Sequence, residues 1–130
     1  MDVKEFAQKF LKAWWEALVV NRDNATLEGF RAFFDHRFIY HTFRGDASLQ
    51  EYMQHVVDTR KNAQVVQLDL KYITGEGSLY AVRLIGHFRF TTEMPGPDSG
   101  KEMTCDILCL FRHENGKVME GWSNGTVTYL

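Results

Sequence analysis

The chain is predicted to fold as one α+β domain, with three helices first and an antiparallel meander of strands after them. Three observations predict it. Apolar residues repeat every three to four positions from Val3 to Leu18 and again from Leu49 to Val57. From Ala63 the period changes to two and stays there to the end of the chain. The punctuation between the later runs is of the short turn-forming kind: Gly75-Glu76-Gly77, Met94 to Gly100 with both prolines, and Glu114-Asn115-Gly116. Helices followed by a run of strands is the α+β pattern.

Each element follows from its own residues. Val3, Phe6, Ala7, Phe10, Leu11, Trp14 and Leu18 make one continuous stripe on a first helix, and Trp15 lies off it. Asn21-Arg22-Asp23-Asn24 breaks the pattern. A second helix is expected from Ala25 to Phe34, with Asn24 as N-cap and Leu27, Phe30 and Phe34 facing inward. Asp35 to His41 reads as a short strand, and Arg44-Gly45-Asp46 as a turn. Ser48-Leu49-Gln50-Glu51 is a capping box that opens a third helix, with Leu49, Tyr52, Met53, Val56 and Val57 on its inner face. Strands are expected near Gln64–Ile73, Leu79–Thr91, Met103–His113 and Lys117–Tyr129.

Composition excludes several classes of function. The 130 residues are 45% hydrophobic and 25% charged, enough apolar material for a buried core, so a single domain over 1–130 is expected rather than disorder. The formal charge of -2 leaves no basic footprint for nucleic acid. The opening MDVKEFAQKF has no apolar core of a signal peptide, and no run reaches the length of a membrane span, so a cytoplasmic protein is expected. The Asn-x-Thr matches at Asn24 and Asn124 then carry no meaning. Cys105 and Cys109, four apart in a strand, would lie roughly 13 Å apart and stay reduced. His36 and His41 fall on opposite strand faces, and no Cys-x-x-Cys or helical His pair is present, so no metal site or cofactor is expected. Aromatics at 14% point to a bulky core or an aromatic-lined cavity.

Alternation divides the later strands into two faces. Tyr80, Val82, Leu84, Phe88 and Phe90 share one with Met103, Cys105, Ile107, Cys109 and Phe111. Arg83, Ile85, His87 and Arg89 share the other with Thr104, Asp106, Leu108, Leu110 and Arg112. A hairpin register that sets Phe88 against Ile107 and Phe90 against Cys105 also sets Arg89 against Asp106 and His87 against Leu108. The mixed face has two readings: a solvated sheet surface with an Asp–Arg pair, or a pocket floor with a few polar groups in apolar surroundings.

Phe33 to His41, Gly45-Asp46 with Leu49 to Tyr52, and Phe111 to Trp122 with Glu114-Asn115-Gly116-Lys117-Val118-Met119-Glu120-Gly121-Trp122 carry a resemblance across essentially the whole chain. The chain resembles the nuclear transport factor 2-like superfamily, in its SnoaL-like and ketosteroid-isomerase-like branch. That resemblance implies a cone in which a curved, mostly antiparallel sheet wraps the first helix and encloses a pocket. It implies a small hydrophobic ligand, and the second apolar sheet face, with Ile85, Leu108 and Leu110, adds the expectation of a homodimer through the outer face. Members include isomerases, cyclases, dehydratases, epoxide hydrolases and binding domains, so the fold does not fix the chemistry.

Carried over by position, His41 falls where ketosteroid isomerase has its base, and a histidine there can move protons at neutral pH. The isomerase's two oxyanion donors are unmatched: Trp14 or Trp15 and Leu108 stand near their positions. Asp106 is a candidate acid or base in the manner of the related cyclases, with Arg89 as its partner. His41, His87 and Asp106 together fit the dehydratase pattern of two histidines and an aspartate. The candidate catalytic residues are therefore His41, Asp106 and His87, and the candidate ligand contacts Arg89, Trp122, Trp14 and Tyr52. The functions left open are cofactor-independent acid/base catalysis on a ring-bearing substrate, ligand binding without turnover, and a dimeric interaction module. Whether Trp122 faces the pocket turns on the length of the Glu114-Asn115-Gly116 loop, because one residue of slip exchanges the faces.

Overall fold

The computed structural model describes residues 2–20, 24–42 and 44–130. Helix α1 is Val3–Trp15, and its chain continues as a π-helical turn over Glu16–Val20. Helix α2 is Asn24–Arg31, strand β1 Phe34–Thr42, strand β2 Gly45–Ser48 and helix α3 Leu49–Asn62. Four long strands follow: β3 Ala63–Glu76, β4 Leu79–Phe90, β5 Glu102–Glu114 and β6 Lys117–Tyr129. The six strands form one sheet in the order β2-β1-β6-β5-β4-β3. All neighbours are antiparallel except β1 and β6, which run parallel. The three helices pack on this sheet as the α+β reading expects.

The helices start where their caps are. The Asp2 carboxylate accepts the Glu5 amide at 2.8 Å, and α3 carries the full capping box between Ser48 and Glu51. The stripe read from the sequence is the buried face of α1: Phe6, Ala7, Phe10, Leu11 and Trp14. Trp15, off the stripe, is 40% exposed. Helix α2 stops three residues earlier than its apolar pattern predicts. Phe34 leaves it to pair with Val118 of β6, and the Phe33 carbonyl accepts the Val118 amide at 2.7 Å, so tertiary ladder bonds override the helical period. The expected turn at residues 21–23 and the capping side chain of Asn24 lie outside the described residues. The expected turn at Gly45-Asp46 proves to be a short edge strand, paired with β1 from Thr42↔Gly45 to Ile39↔Ser48.

The β4–β5 register differs from expectation by four residues. Phe88 pairs with Met103, Gly86 with Cys105 and Leu84 with Ile107, so Arg89 faces Glu102 and Asp106 faces Ile85. A shift of four keeps every side chain on its face, and both registers match apolar with apolar. The observed one extends the ladder to Glu102 and closes it with a Phe90 amide to Lys101 carbonyl bond of 2.9 Å. The Arg89–Asp106 pair is thereby replaced by Arg83–Asp106 and Arg89–Glu102.

The core lies between α1 and the inner sheet face. Phe10 is fully buried and its ring meets those of Trp14, Phe30, Phe33, Phe34, Tyr80 and Phe111, with centroids 5.0–5.9 Å away. At Gly125 an added Cβ would press into the Asp106 carbonyl oxygen, so the close approach of β5 and β6 there requires glycine. Among the described residues no helix is long and apolar enough to cross a membrane.

Candidate functional site

The inner sheet face continues past the aromatic core into a cavity of about 510 Å³, roofed by α1 and α3. Its floor is Leu84, Phe88, Met103, Cys105, Ile107 and Cys109, the apolar set that alternation assigns to one side of β4 and β5. Trp14 and Leu18 form one wall, and Tyr52 and Val56 of α3 another. Trp14 stacks on Phe30 with the rings 12° from parallel, which fixes its orientation.

Polar groups enter this cavity in two places. Deep in it, the Tyr40 and Tyr52 rings meet edge to face at 5.0 Å. The Tyr40 hydroxyl lies 3.7 Å from the Cys109 sulfur. The Tyr52 hydroxyl is buried and has no hydrogen-bond partner, which is costly for a polar group shielded from water. Burial raises both phenols well above their ordinary pKa, so each stays protonated as a donor. Burial also pushes the Cys109 thiol up to about 11 and raises that of Cys105. Thiols so disposed are poor nucleophiles.

At the mouth, α3 contributes Glu51, His55, Asp58 and Thr59, at i, i+4, i+7 and i+8 along one side of the helix. Arg44 and, from the connection between β4 and β5, Met94 and Asp98 complete the rim. The His55 residue is open to solvent by surface area, yet the surrounding protein desolvates its imidazole and lowers its pKa. Arg44 adds to the lowering, while Asp58 and Asp98 oppose it. A neutral imidazole at the edge of an apolar cavity can accept a proton.

Of the residues expected at the site, the structure brings Trp14 and Tyr52 to the cavity. His41, His87, Arg89, Asp106 and Trp122 stand on the opposite, outer face of the sheet. Asp106 is bound by Arg83 through two contacts, Nε at 2.9 Å and a terminal nitrogen at 2.6 Å, which hold its carboxyl below the usual range. His87 and Arg89 share Glu102, at 2.5 and 3.1 Å. His41 is held between Glu120 and Asp46, each at 2.7 Å; both raise its pKa, and its ring stacks on Trp122. His87 and Asp106 do border a common shallow groove of about 270 Å³ on this outer face, between Gln67, Thr104 and Thr126.

The face of Trp122 is decided by a bulge. The Asn115-Gly116 turn has both residues at positive φ and joins Glu114 to Lys117, a two-residue hairpin that by itself would aim Trp122 inward. The ladder then skips Met119: His113 pairs with Val118 and Arg112 with Glu120. From that point the strand is inverted, and Trp122 pairs with the outward Leu110. Sequence reading missed His55 and Tyr40. The polar stripe of α3 was the available signal for His55, one helical step from the apolar stripe that was read. Among the described residues, no group of three or more His, Cys, Asp or Glu side chains is placed to hold a metal ion.

The placement of the tryptophans has an optical consequence. An aromatic ligand entering the cavity is expected to change the emission of Trp14, so Trp14→Phe removes the ligand-dependent signal and Trp122→Phe retains it. The reverse result would place the ligand on the outer face.

Six strands in one sheet, packed under three helices and lining an apolar cavity, define an α+β domain of the cone type. The SnoaL-like polyketide cyclase family model matches residues 5–125, and the chain belongs to that family. Solved structures agree in fold. A SnoaL-like polyketide cyclase assignment from Mesorhizobium loti superposes with a TM-score of 0.71 at 17% identity, covering 95% of this chain and 99% of that one. A polyketide cyclase assignment from Xanthomonas campestris pv. campestris gives 0.66 at 16%, covering 92% and 89%. An LEH-like epoxide hydrolase from M. tuberculosis gives 0.68 at 9%, covering 94% and 84%. No curated protein matches the chain significantly.

Proposed function

We propose that the cavity binds a small hydrophobic ring-bearing molecule and carries out cofactor-independent acid/base chemistry on it, of the isomerase or cyclase type. The observation that carries this reading is a neutral imidazole, His55, at the mouth of an apolar cavity of about 510 Å³ with Tyr52 in its wall. On a ketone substrate, His55 would take the α-proton and the C–H electron pair would become the C=C bond of the enolate. The carbonyl oxygen then gains negative charge and accepts a hydrogen bond from Tyr52 once that phenol, shielded beside Tyr40 at rest, turns toward the cavity. The developing charge sits where water is excluded, where one such donor typically contributes about 10²–10³ in rate. His41, His87 and Asp106, already engaged with charged partners on the outer face, have no part in this step.

The test is α-proton exchange of 1-tetralone in D₂O, followed by NMR without added cofactor. The wild-type chain is expected to accelerate exchange saturably, and Tyr52→Phe to lose about 10²-fold. Saturable binding with no exchange favours the second reading, a non-catalytic binding domain, for which the wholly apolar floor is the support.

We also propose a homodimer through the outer sheet face. Leu108 is 52% exposed there, with Leu110 exposed two residues along the same strand, and such a patch supports an interface. Leu108→Glu is expected to shift a dimer to monomer in sedimentation at micromolar concentration; a wild-type monomer overturns the proposal. The two unpaired thiols support a reducing, cytoplasmic setting.

A further inference from the structure

On the outer face one imidazole joins three strands. His41 of β1 lies 2.7 Å through Nδ1 from Asp46 of β2, and 2.7 Å through Nε2 from Glu120 of β6. An ionised carboxylate only accepts hydrogen bonds, so both contacts are hydrogen bonds only when both ring nitrogens carry a proton. The surroundings suit that charged form. From β5, Arg112 meets the other oxygen of Glu120, at 3.4 Å, and also pairs with Glu114. Arg44, in the connection between β1 and β2, lines the cavity and acts on His55. The His41 ring is stacked 5.5 Å from that of Trp122, an arrangement that favours a cation over the indole.

The strand so held leads straight to the cavity wall. β2 is an edge strand of four residues, and among the described residues its one neighbour in the sheet is β1. It runs into α3 with no residue between them. Ser48 pairs with Ile39 as the last residue of β2, and its side chain accepts the Glu51 amide of the helix. Tyr52 lies about one turn into α3 and His55 about two. The place of both side chains at the cavity depends on where β2 is held.

We infer that His41 is a positioning residue: as the doubly protonated imidazolium it ties β2 to β6, and so sets the start of α3, with Tyr52 and His55, against the cavity. The consequence for catalysis rests on the reading of the cavity as the site of α-proton abstraction. Glu120, and Asp46 after it, raise the His41 pKa above the ordinary 6.5. The tie is therefore complete below 6.5 and is lost as the pH rises through the raised value, where one nitrogen turns a lone pair toward a carboxylate. His55 is shifted the opposite way, by desolvation. The cavity needs His55 neutral and the outer face needs His41 charged, so exchange is confined to the window between the two values.

NMR of the histidine rings and of the amides from Asp46 to Met53 tests the tie without any ligand. The His41 ring is expected to titrate above 6.5, and the amides at the start of α3 to move with the same midpoint; the response of His55 comes below 6.5 and is separate. In Asp46→Asn, at a side chain 66% exposed, the His41 midpoint falls and the amide response shrinks. A His41 midpoint at or below 6.5, or amides that do not follow it, overturns the inference. Exchange of 1-tetralone is expected to show an alkaline limb at the His41 midpoint. His41→Gln, uncharged at every pH, is expected to be about 10–10²-fold slower on the plateau, the scale on which a misplacement of about 1 Å acts, and to lack that limb. An alkaline limb unchanged in His41→Gln overturns the positioning role and leaves the chemistry in the cavity standing. Absence of exchange at every pH overturns the chemistry, and the amide titration then decides the tie by itself.

Discussion

Phe10→Ala is expected to lower the unfolding free energy by about 3–5 kcal/mol, the range for removing a fully buried phenyl ring. Phe10 sits at the upper end because its neighbours cannot close the gap. Phe30, Phe34 and Phe111 pack against it from α2, β1 and β5 respectively, and each is itself fixed by further rings. A domain of this size has about 5–15 kcal/mol of stability in total, so the variant loses a large share of it. Urea unfolding followed by far-UV circular dichroism measures the change. Phe10→Leu, which keeps most of the volume, is expected to lose less than half as much. A loss below about 1 kcal/mol for Phe10→Ala would mean that α1 is not packed on the sheet as described.

His55→Ala is expected to reduce α-proton exchange of 1-tetralone by about 10²–10⁴-fold, the usual contribution of a positioned base. Binding of the ketone changes little, because the apolar floor and Trp14 supply the contact. The pH profile carries the sharper signature. Desolvation, and Arg44 after it, hold the His55 pKa below the ordinary value of 6.5. The neutral, proton-accepting form therefore persists below that pH, and exchange falls only as the pH drops through the lowered value. Asp58→Asn removes a carboxylate that raises the pKa, so the acid limb moves to still lower pH. A limb at or above the ordinary imidazole value, or an unaltered profile in His55→Ala, would falsify the assignment of His55 as base.

Much of the fold was legible before any coordinates. The apolar stripe from Phe6 to Trp14 is the buried face of α1, and the Ser48-to-Glu51 capping box opens α3. The sorting of Cys105, Ile107 and Cys109 from Asp106, Leu108 and Leu110 is also right, because side chains in a strand alternate whatever the strand pairs with. The parts that escaped are those set by distant partners. Phe34 reads as the last inward residue of a helix, yet it begins β1 because β6 offers it a parallel ladder. The β4–β5 register moved by four residues because both registers satisfy the apolar match, and only the length of the closed hairpin separates them.

The candidate site divides in the same way. Trp14 and Tyr52 line the cavity because helical periodicity places them inward. His87 and Asp106 stood out as polar residues on a mixed face and His41 by its position at the end of the short strand, and periodicity states only that His87 and Asp106 share a side, not whether that side is concave. Local sequence thus determined the helical faces, the two sides of the sheet and the aromatic core, since each depends on the period of a single element. Which side curls around a cavity, and which side Trp122 joins, was decided only in three dimensions. The helices pack on one side of the sheet, and the cavity lies on that side. The face of Trp122 comes from the single residue Met119, skipped in pairing with β5, which inverts everything after it.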